Sequence, residues 1–233
     1  MIVRMKDVSK SYQSGGKQIK ALNTVSLEIV SGESALIMGP SGSGKSTLLY
    51  ILGLLLDIDN GELELFDTTV ESLDRKEWEK IRLNRIGFVF QDFELLPKFT
   101  VEENMGLAFL AAGGDRHSLP RHMNGLIGRF ELRDRKRHYP NELSVGEKQR
   151  AAICRALIND PELILADEPT AHLDSAQGSR VVDELIDLSV SWKKTLVVVS
   201  HDDRLRDKFH RVFTLHDGRL SLRSTEIKRG YAL

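Results

Sequence analysis

Gly39-Pro40-Ser41-Gly42-Ser43-Gly44-Lys45-Ser46-Thr47 fits the phosphate-loop pattern G-x-x-x-x-G-K-[ST] at every fixed position. The apolar run Ser34-Ala35-Leu36-Ile37-Met38 precedes it and the helix-compatible Thr47-Leu48-Leu49-Tyr50-Ile51-Leu52 follows, so the strand, loop and helix that the pattern needs are all present. Gly39, Gly42 and Gly44 let the backbone curl until successive N–H groups point inward, and a helix N-terminus adds partial positive charge to the same concavity. Lys45 is then placed to reach the β- and γ-phosphates, and the Ser46 hydroxyl to ligate Mg²⁺. A Gly-rich turn matching by chance would bring none of that context, and the stretch implies a nucleoside triphosphate ligand.

The 233 residues suffice for one large α/β domain with its own core. Net charge is −1 with 29% charged residues, so no global field favours a polyanion. The single cysteine, Cys154, excludes an internal disulfide framework and suits a reducing compartment. Set in Ala151-Ala152-Ile153-Cys154-Arg155-Ala156-Leu157, it reads as a small buried residue rather than a reactive thiol. No apolar run approaches the roughly 18 residues that a membrane span needs, and Met1 to Asp7 does not read as a signal peptide. The expectation is a cytosolic protein, or one peripheral to a membrane on its cytosolic side.

Outward from the phosphate loop, Ile2–Lys6 and Leu22–Val30 alternate as strands do, with Ser14-Gly15-Gly16 as the turn between them. Tyr12, just before that turn, can stack on a base or simply pack. Gly61–Phe66 is a strand candidate, and Asp74 caps a polar helix around Arg75–Leu83. Ile86-Gly87-Phe88-Val89-Phe90 is a continuous apolar strand delivering Gln91 at its carboxyl end, where α/β sheets bind ligands; Gln91 is therefore a candidate to touch Mg²⁺ or the attacking water.

From 92 to about 160 the pattern turns helical. Thr100-Val101-Glu102-Glu103 is a capping box ahead of a helix over Asn104–Ala112 that Gly113-Gly114 ends. Leu119–Phe130 and Val145–Ile158 are the next helices. Between Arg116 and His138 stand seven Lys/Arg against two acids, either a solvated face or a surface for anionic headgroups. Leu163-Ile164-Leu165-Ala166 is a buried strand that ends in Asp167 and Glu168. Adjacent strand residues point to opposite faces, so the two acids share a task only if the strand is ending. Asp167 suits Mg²⁺ through a water, and Glu168 suits the nucleophilic water. Ala176–Val190 reads as a helix and Thr195–Ser200 as a strand that delivers His201, structural or catalytic. Val212–Leu222 is a hairpin about Asp217-Gly218. The tail from Arg223 carries no signal.

Leu143-Ser144-Val145-Gly146-Glu147-Lys148-Gln149-Arg150 lies about 20 residues before the Asp-Glu pair. With the phosphate loop, Gln91, Leu163–Glu168, Ala171-His172-Leu173-Asp174 and His201 in this order, the chain resembles an ABC-transporter ATPase subunit over nearly its whole length. The resemblance implies an α/β P-loop NTPase of the ABC ATPase type: a RecA-like core with an antiparallel β subdomain, in which residues 92–160 form an inserted helical subdomain of a single nucleotide-binding domain, 1–233. It implies ATP and Mg²⁺ as cofactors. Tyr12 would lie under the adenine, the whole loop from Gly39 through Thr47 would hold the phosphates, and Ser46, Gln91 and Asp167 would hold the metal. Glu168 becomes the general base, His201 the switch histidine at the γ-phosphate, Lys45 and Gln91 its catalytic neighbours, and Asp174 part of the D-loop. The family binds nucleotide across a head-to-tail dimer, so Ser144, Gly146 and Glu147 would contact ATP held by a second copy. Ser144-x-x-Glu147 is equally a capping box, and the serine can simply start its helix.

Val145 departs from the family's usual Leu-Ser-Gly-Gly, and being β-branched it predicts ordinary helical or extended backbone there. His172 also departs from the common D-loop residues. The segment from Ile86 to Pro97, followed by Thr100-Val101-Glu102-Glu103-Asn104, is similar to the branch holding the lipoprotein-release, macrolide-export and cell-division ATPases. These drive membrane subunits from the cytoplasmic side of the inner membrane and bind no nucleic acid. The alternatives are a non-transporting ATPase that regulates a membrane-linked cell-wall enzyme and a soluble one acting on nucleic acid. The 51 residues between Gln91 and Leu143 leave no room for the long coiled coil of chromosome and repair members.

Overall fold

In a computed structural model, residues 1–224 are described. Val3–Ser14 (β1) and Lys17–Ile29 (β2) form an antiparallel ribbon closed by Gly15 and Gly16 at φ 57° and 77°, the left-handed pair that a two-residue hairpin turn demands. Both strands extend beyond the segments that alternation marks out. Register shifts between Met5 and Ser11, with Asp7 at φ 51°, break the period of two that the sequence reading follows. Asn60–Leu65 (β4) and Thr68–Thr69 (β5) complete a four-stranded antiparallel sheet in the order β2-β1-β4-β5.

The second sheet holds Ser34–Met38 (β3), Ile86–Val89 (β6), Leu163–Asp167 (β7), Thr195–Ser200 (β8), Arg211–His216 (β9) and Arg219–Ser224 (β10), in the order β10-β9-β3-β8-β7-β6. Every pairing from β9 to β6 is parallel, and only the edge strand β10 is antiparallel. A parallel sheet is covered on both faces, so its strands read as apolar runs without alternation. β3, β7 and β8 are buried at every position. Alternation survives in where each residue points: Ala35, Ile37, Leu165 and Val199 join one core cluster, and Leu36, Met38, Ile164 and Val198 join the other.

The helices are Lys45–Leu52 (α1), Arg75–Arg85 (α2), Val101–Ala111 (α3), Leu119–Arg129 (α4), Val145–Leu157 (α5) and Ser175–Ser191 (α6). Asp74, Thr100 and Ser144 each close a capping box with the glutamate three residues on. The box at Thr100 starts α3 at Val101, earlier than the expected Asn104, because the box residues themselves form the first turn. Between β6 and β7 the chain is helical, with α3, α4 and α5 and no strand among the described residues. The hairpin turn at Asp217-Gly218 has φ 47° and 71°. No helix among the described residues is long and apolar enough to cross a membrane.

Candidate functional site

Because the strands are parallel, the carboxyl ends of β3, β6, β7 and β8 lie along one edge, where this architecture gathers ligand-binding residues. The phosphate loop follows β3, Gln91 follows β6 closely, Asp167 ends β7 and His201 follows β8. A cavity of about 660 Å³ at this edge is lined by Tyr12, Pro40, Ser41, Gly42, Gly44, Lys45, Ser46, Thr47, Gln91, Glu168 and His201. Gly39, Ser43 and Asp167, also singled out in the sequence, are outside that lining. Ser144, Gly146, Glu147 and Asp174 are outside it too, on α5 and at the start of α6.

The loop's shape depends on two glycines. Gly44 has φ 102°, and a Cβ there would sit 2.2 Å from the Ala21 carbonyl oxygen; one at Gly39 would sit 2.2 Å from that of Leu215. The loop therefore nests against β2 and β9 with no room for a side chain. Gly44 precedes α1 with no side-chain cap, which leaves the helix's first N–H groups open to an anionic ligand. Ser43 Oγ is buried and has no hydrogen-bond partner among the described residues, an uncommon cost in a folded chain. Lys45, itself buried, donates to the carbonyls of Gly39 at 2.9 Å and Pro40 at 3.0 Å, and its Nζ lies 3.7 Å from Glu168 Oε1.

Asp167 and Glu168 do converge on the same edge. β7 ends at Asp167, and Glu168 takes φ 43° while its N–H still donates to the Val199 carbonyl at 3.0 Å. Left-handed backbone is costly for a glutamate, and it turns the second carboxylate away from the alternate face that a continuing strand would give it. Ser46 Oγ donates to Asp167 Oδ1 at 3.2 Å. Burial raises the Asp167 pKa against the lowering effect of that bond. Glu168 Oε2 accepts from the Ser200 hydroxyl at 3.2 Å and the His201 N–H at 3.3 Å, and lies 3.0 Å from His201 Nδ1.

Tyr12 is 38% exposed on β1, opposite Ile19 on β2, with its hydroxyl 3.4 Å from Thr47 Oγ1. Ile19, Lys20 and Ala21 complete that wall of the cavity; a strand residue with no motif gives no signal in sequence. Tyr50 was also missed. Burial first, then the Asp167 carboxylate, raises its pKa, and its ring meets Phe88 at 5.7 Å.

Ser144 accepts from Glu147 N–H at 3.3 Å, while Glu147 accepts from Ser144 N–H at 2.8 Å and from Arg135 Nε at 2.7 Å. The Ser144 bonds and the Arg135 guanidinium hold the Glu147 carboxyl down at about 2. Arg135 and Arg137 pair with Glu147 and Glu102, and Arg129 lies over the Trp192 ring, so much of the basic run is engaged within the chain. Cys154 is fully buried, and burial pushes its thiol pKa up.

The family model described as ABC transporter matches residues 22–171. The lipoprotein-releasing system ATP-binding protein LolD of Zymomonas mobilis is 38% identical over 219 residues, 94% of either chain. An ABC transporter ATP-binding protein of Thermotoga maritima is 41% identical over 94% of this chain and 93% of its own. A solved dimer of an ATP-binding cassette in a post-hydrolysis state, bound to ADP and phosphate, superposes with a TM-score of 0.90 at 39% identity, covering 97% of this chain and 99% of that one. With the phosphate loop, the paired acids and the signature helix in place, the chain belongs to the ABC transporter family as an ATP-binding, ATP-hydrolysing subunit.

Proposed function

We propose that two copies of this chain close head to tail on two Mg²⁺-ATP and drive a membrane partner, with export, lipoprotein release or mechanotransmission as the work done. The observation that carries this reading is the convergence of Lys45, Ser46, Gln91, Glu168 and His201 around one cavity while the signature residues Ser144, Gly146 and Glu147 lie elsewhere in the same chain. Each copy then completes the other's site. The uncapped start of α1 fits a triphosphate. Ser46 and Asp167 are hard oxygen donors in contact, with the Gln91 amide nearby. No group of three or more His, Cys, Asp or Glu able to hold a metal occurs among the described residues. Ser46, Asp167 and Gln91 would hold a Mg²⁺ together with the phosphates, and it would neutralise developing charge there. Glu168 orients and deprotonates the attacking water, His201 holds the γ-phosphate, and Tyr12 supports the base.

The membrane partner docks beside the Gln91 loop, on the cytoplasmic side of the inner membrane. Leu96 and Phe99 are exposed there, and a groove of about 470 Å³ between α3 and α4 is lined by Phe99, Leu107, Leu110, Leu119 and Met123, the kind of patch that marks contact. Crosslinks from position 96 or 99 in an active complex should reach the partner; none reaching it refutes the docking. Purified chain should release phosphate from ATP and form a dimer with it, alone or with its partner; neither happening refutes the reading as a whole.

A further inference from the structure

The loop that follows Gln91 is held by three different elements. Phe93 and Glu94 both have positive φ, 62° and 50°. Arg155 of α5 donates to the carbonyls of both, to Phe93 at 2.8 Å. Asn104 of α3 accepts from Leu96 N–H at 2.8 Å and donates to its carbonyl at 3.2 Å. These ties fix the downstream part of the loop to the helices. The end next to Gln91 is tied to another element: His172 Nε2 is 3.0 Å from Asp92 Oδ1, and the His172 ring meets the Phe93 ring at 5.4 Å.

His172 belongs to the turn between Glu168 and α6, a turn closed by Ala171 N–H to the Glu168 carbonyl at 3.0 Å and Leu173 N–H to the Thr170 carbonyl at 3.1 Å. Gln91 and Ala171 both line the phosphate cavity, so the bond joins the immediate neighbours of two lining residues. It needs only a hydrogen on Nε2, which one neutral tautomer carries as well as the imidazolium.

We propose that His172 is a positioning residue: through Asp92 it fixes Gln91 against the cavity and makes the Gln91 loop and the turn after Glu168 move as one piece. This rests on the function proposed above. The side chains of His172 and Asp92 are 41% and 73% exposed. A pair so accessible adds little to folding, and its effect belongs in orientation, where a displacement of about 1 Å costs up to about a hundredfold in rate.

The test compares wild type with His172→Ala, His172→Gln, Asp92→Ala and the His172→Ala/Asp92→Ala pair, using Mg²⁺-ATP. His172→Ala and Asp92→Ala should each lower kcat by about tenfold with KM within about twofold, the pair should be no slower than either alone, and His172→Gln, which keeps an N–H donor, should recover most of the rate. Urea midpoints should not move. Without nucleotide, amide exchange across residues 92–95 should quicken in His172→Ala. Unchanged exchange, a wild-type kcat, or losses that multiply in the pair overturn the proposal. A wild type that neither hydrolyses ATP nor dimerises with it, alone or with its partner, overturns the proposed function instead, and the exchange measurement then still decides the tie.

Discussion

Glu168 Oε2 lies 3.0 Å from His201 Nδ1, and the same oxygen accepts from the Ser200 hydroxyl and the His201 backbone. One carboxylate oxygen is thus anchored to the end of β8, while the other faces Lys45. Contacts from within the chain thus fix the carboxylate's orientation at both oxygens, as a base acting on a positioned water requires.

Glu168→Gln keeps the side chain's shape and removes its basicity. Turnover should fall by about a hundredfold or more, the scale of a lost general base, while ATP binding persists and a dimer accumulates. Gel filtration with ATP and phosphate release measure the two effects. Near-normal turnover would move the base to another residue.

Lys45→Ala should abolish ATP binding at concentrations that saturate the wild type. The ammonium is buried and its partners are carbonyls of the loop itself, so its loss takes the positive charge from the cavity and leaves those carbonyls without their donor. Charge-assisted hydrogen bonds of this type contribute about 1.5–3 kcal/mol each. Fluorescent-nucleotide titration reads the outcome, and binding within about tenfold of wild type would contradict the assignment of Lys45 to the phosphates.

Val145 is the first residue of α5 and is 42% exposed, in helical backbone, one of the two ordinary conformations that its β-branching allows. Val145→Gly should cost the helix up to about 1 kcal/mol and change ATP turnover by less than about tenfold, because Gly146 and the Ser144 cap are untouched. A gain of tenfold or more would show that the valine cripples the signature.

What the sequence disclosed follows physical periodicity and punctuation. The strands that bear the site were legible because apolar runs of strand length led to Gln91, Asp167 and His201, and the starts of α2 and α5 because Asp74 and Ser144 cap them, whereas the box at Thr100 was legible but α3 starts at Val101, before the expected Asn104. The outer half of β1 was not, since its bulges scramble the period of two. Nor was the left-handed Glu168, which makes two adjacent acids neighbours in space: no local signal marks a glutamate for positive φ. Asp92 and Tyr50 act through residues distant in sequence, His172 and Asp167, which a single chain read alone does not reveal.

Asn104 is buried and bonds to Leu96 N–H and to the carbonyls of Leu96, Phe99 and Thr100, a role that its place in a helical pattern does not signal. Asn104→Ala leaves those groups without their side-chain partner, at about 1–3 kcal/mol for each left unsatisfied. The urea midpoint should drop accordingly, and loop 93–99 should exchange its amides faster. An unchanged midpoint would mean that water replaces the amide at no cost.

Glu147 supplies the pH dependence. Its carboxyl is held at about 2 against an ordinary 4.5, chiefly by the Ser144 backbone N–H and hydroxyl and then by Arg135. A depressed folded-state pKa means that the unfolded chain binds the proton more readily. The stabilisation is therefore complete above about pH 4.5 and is lost as pH falls from there towards 2. Glu147→Gln keeps the side chain's length but not its charge, so the gap in urea midpoint between it and wild type should be widest at pH 6, about three quarters of that at pH 4 and less than about half of it at pH 3. A gap that stayed constant across these three values would mean that the carboxylate's charge does not matter to the cap and that only its shape holds the start of α5.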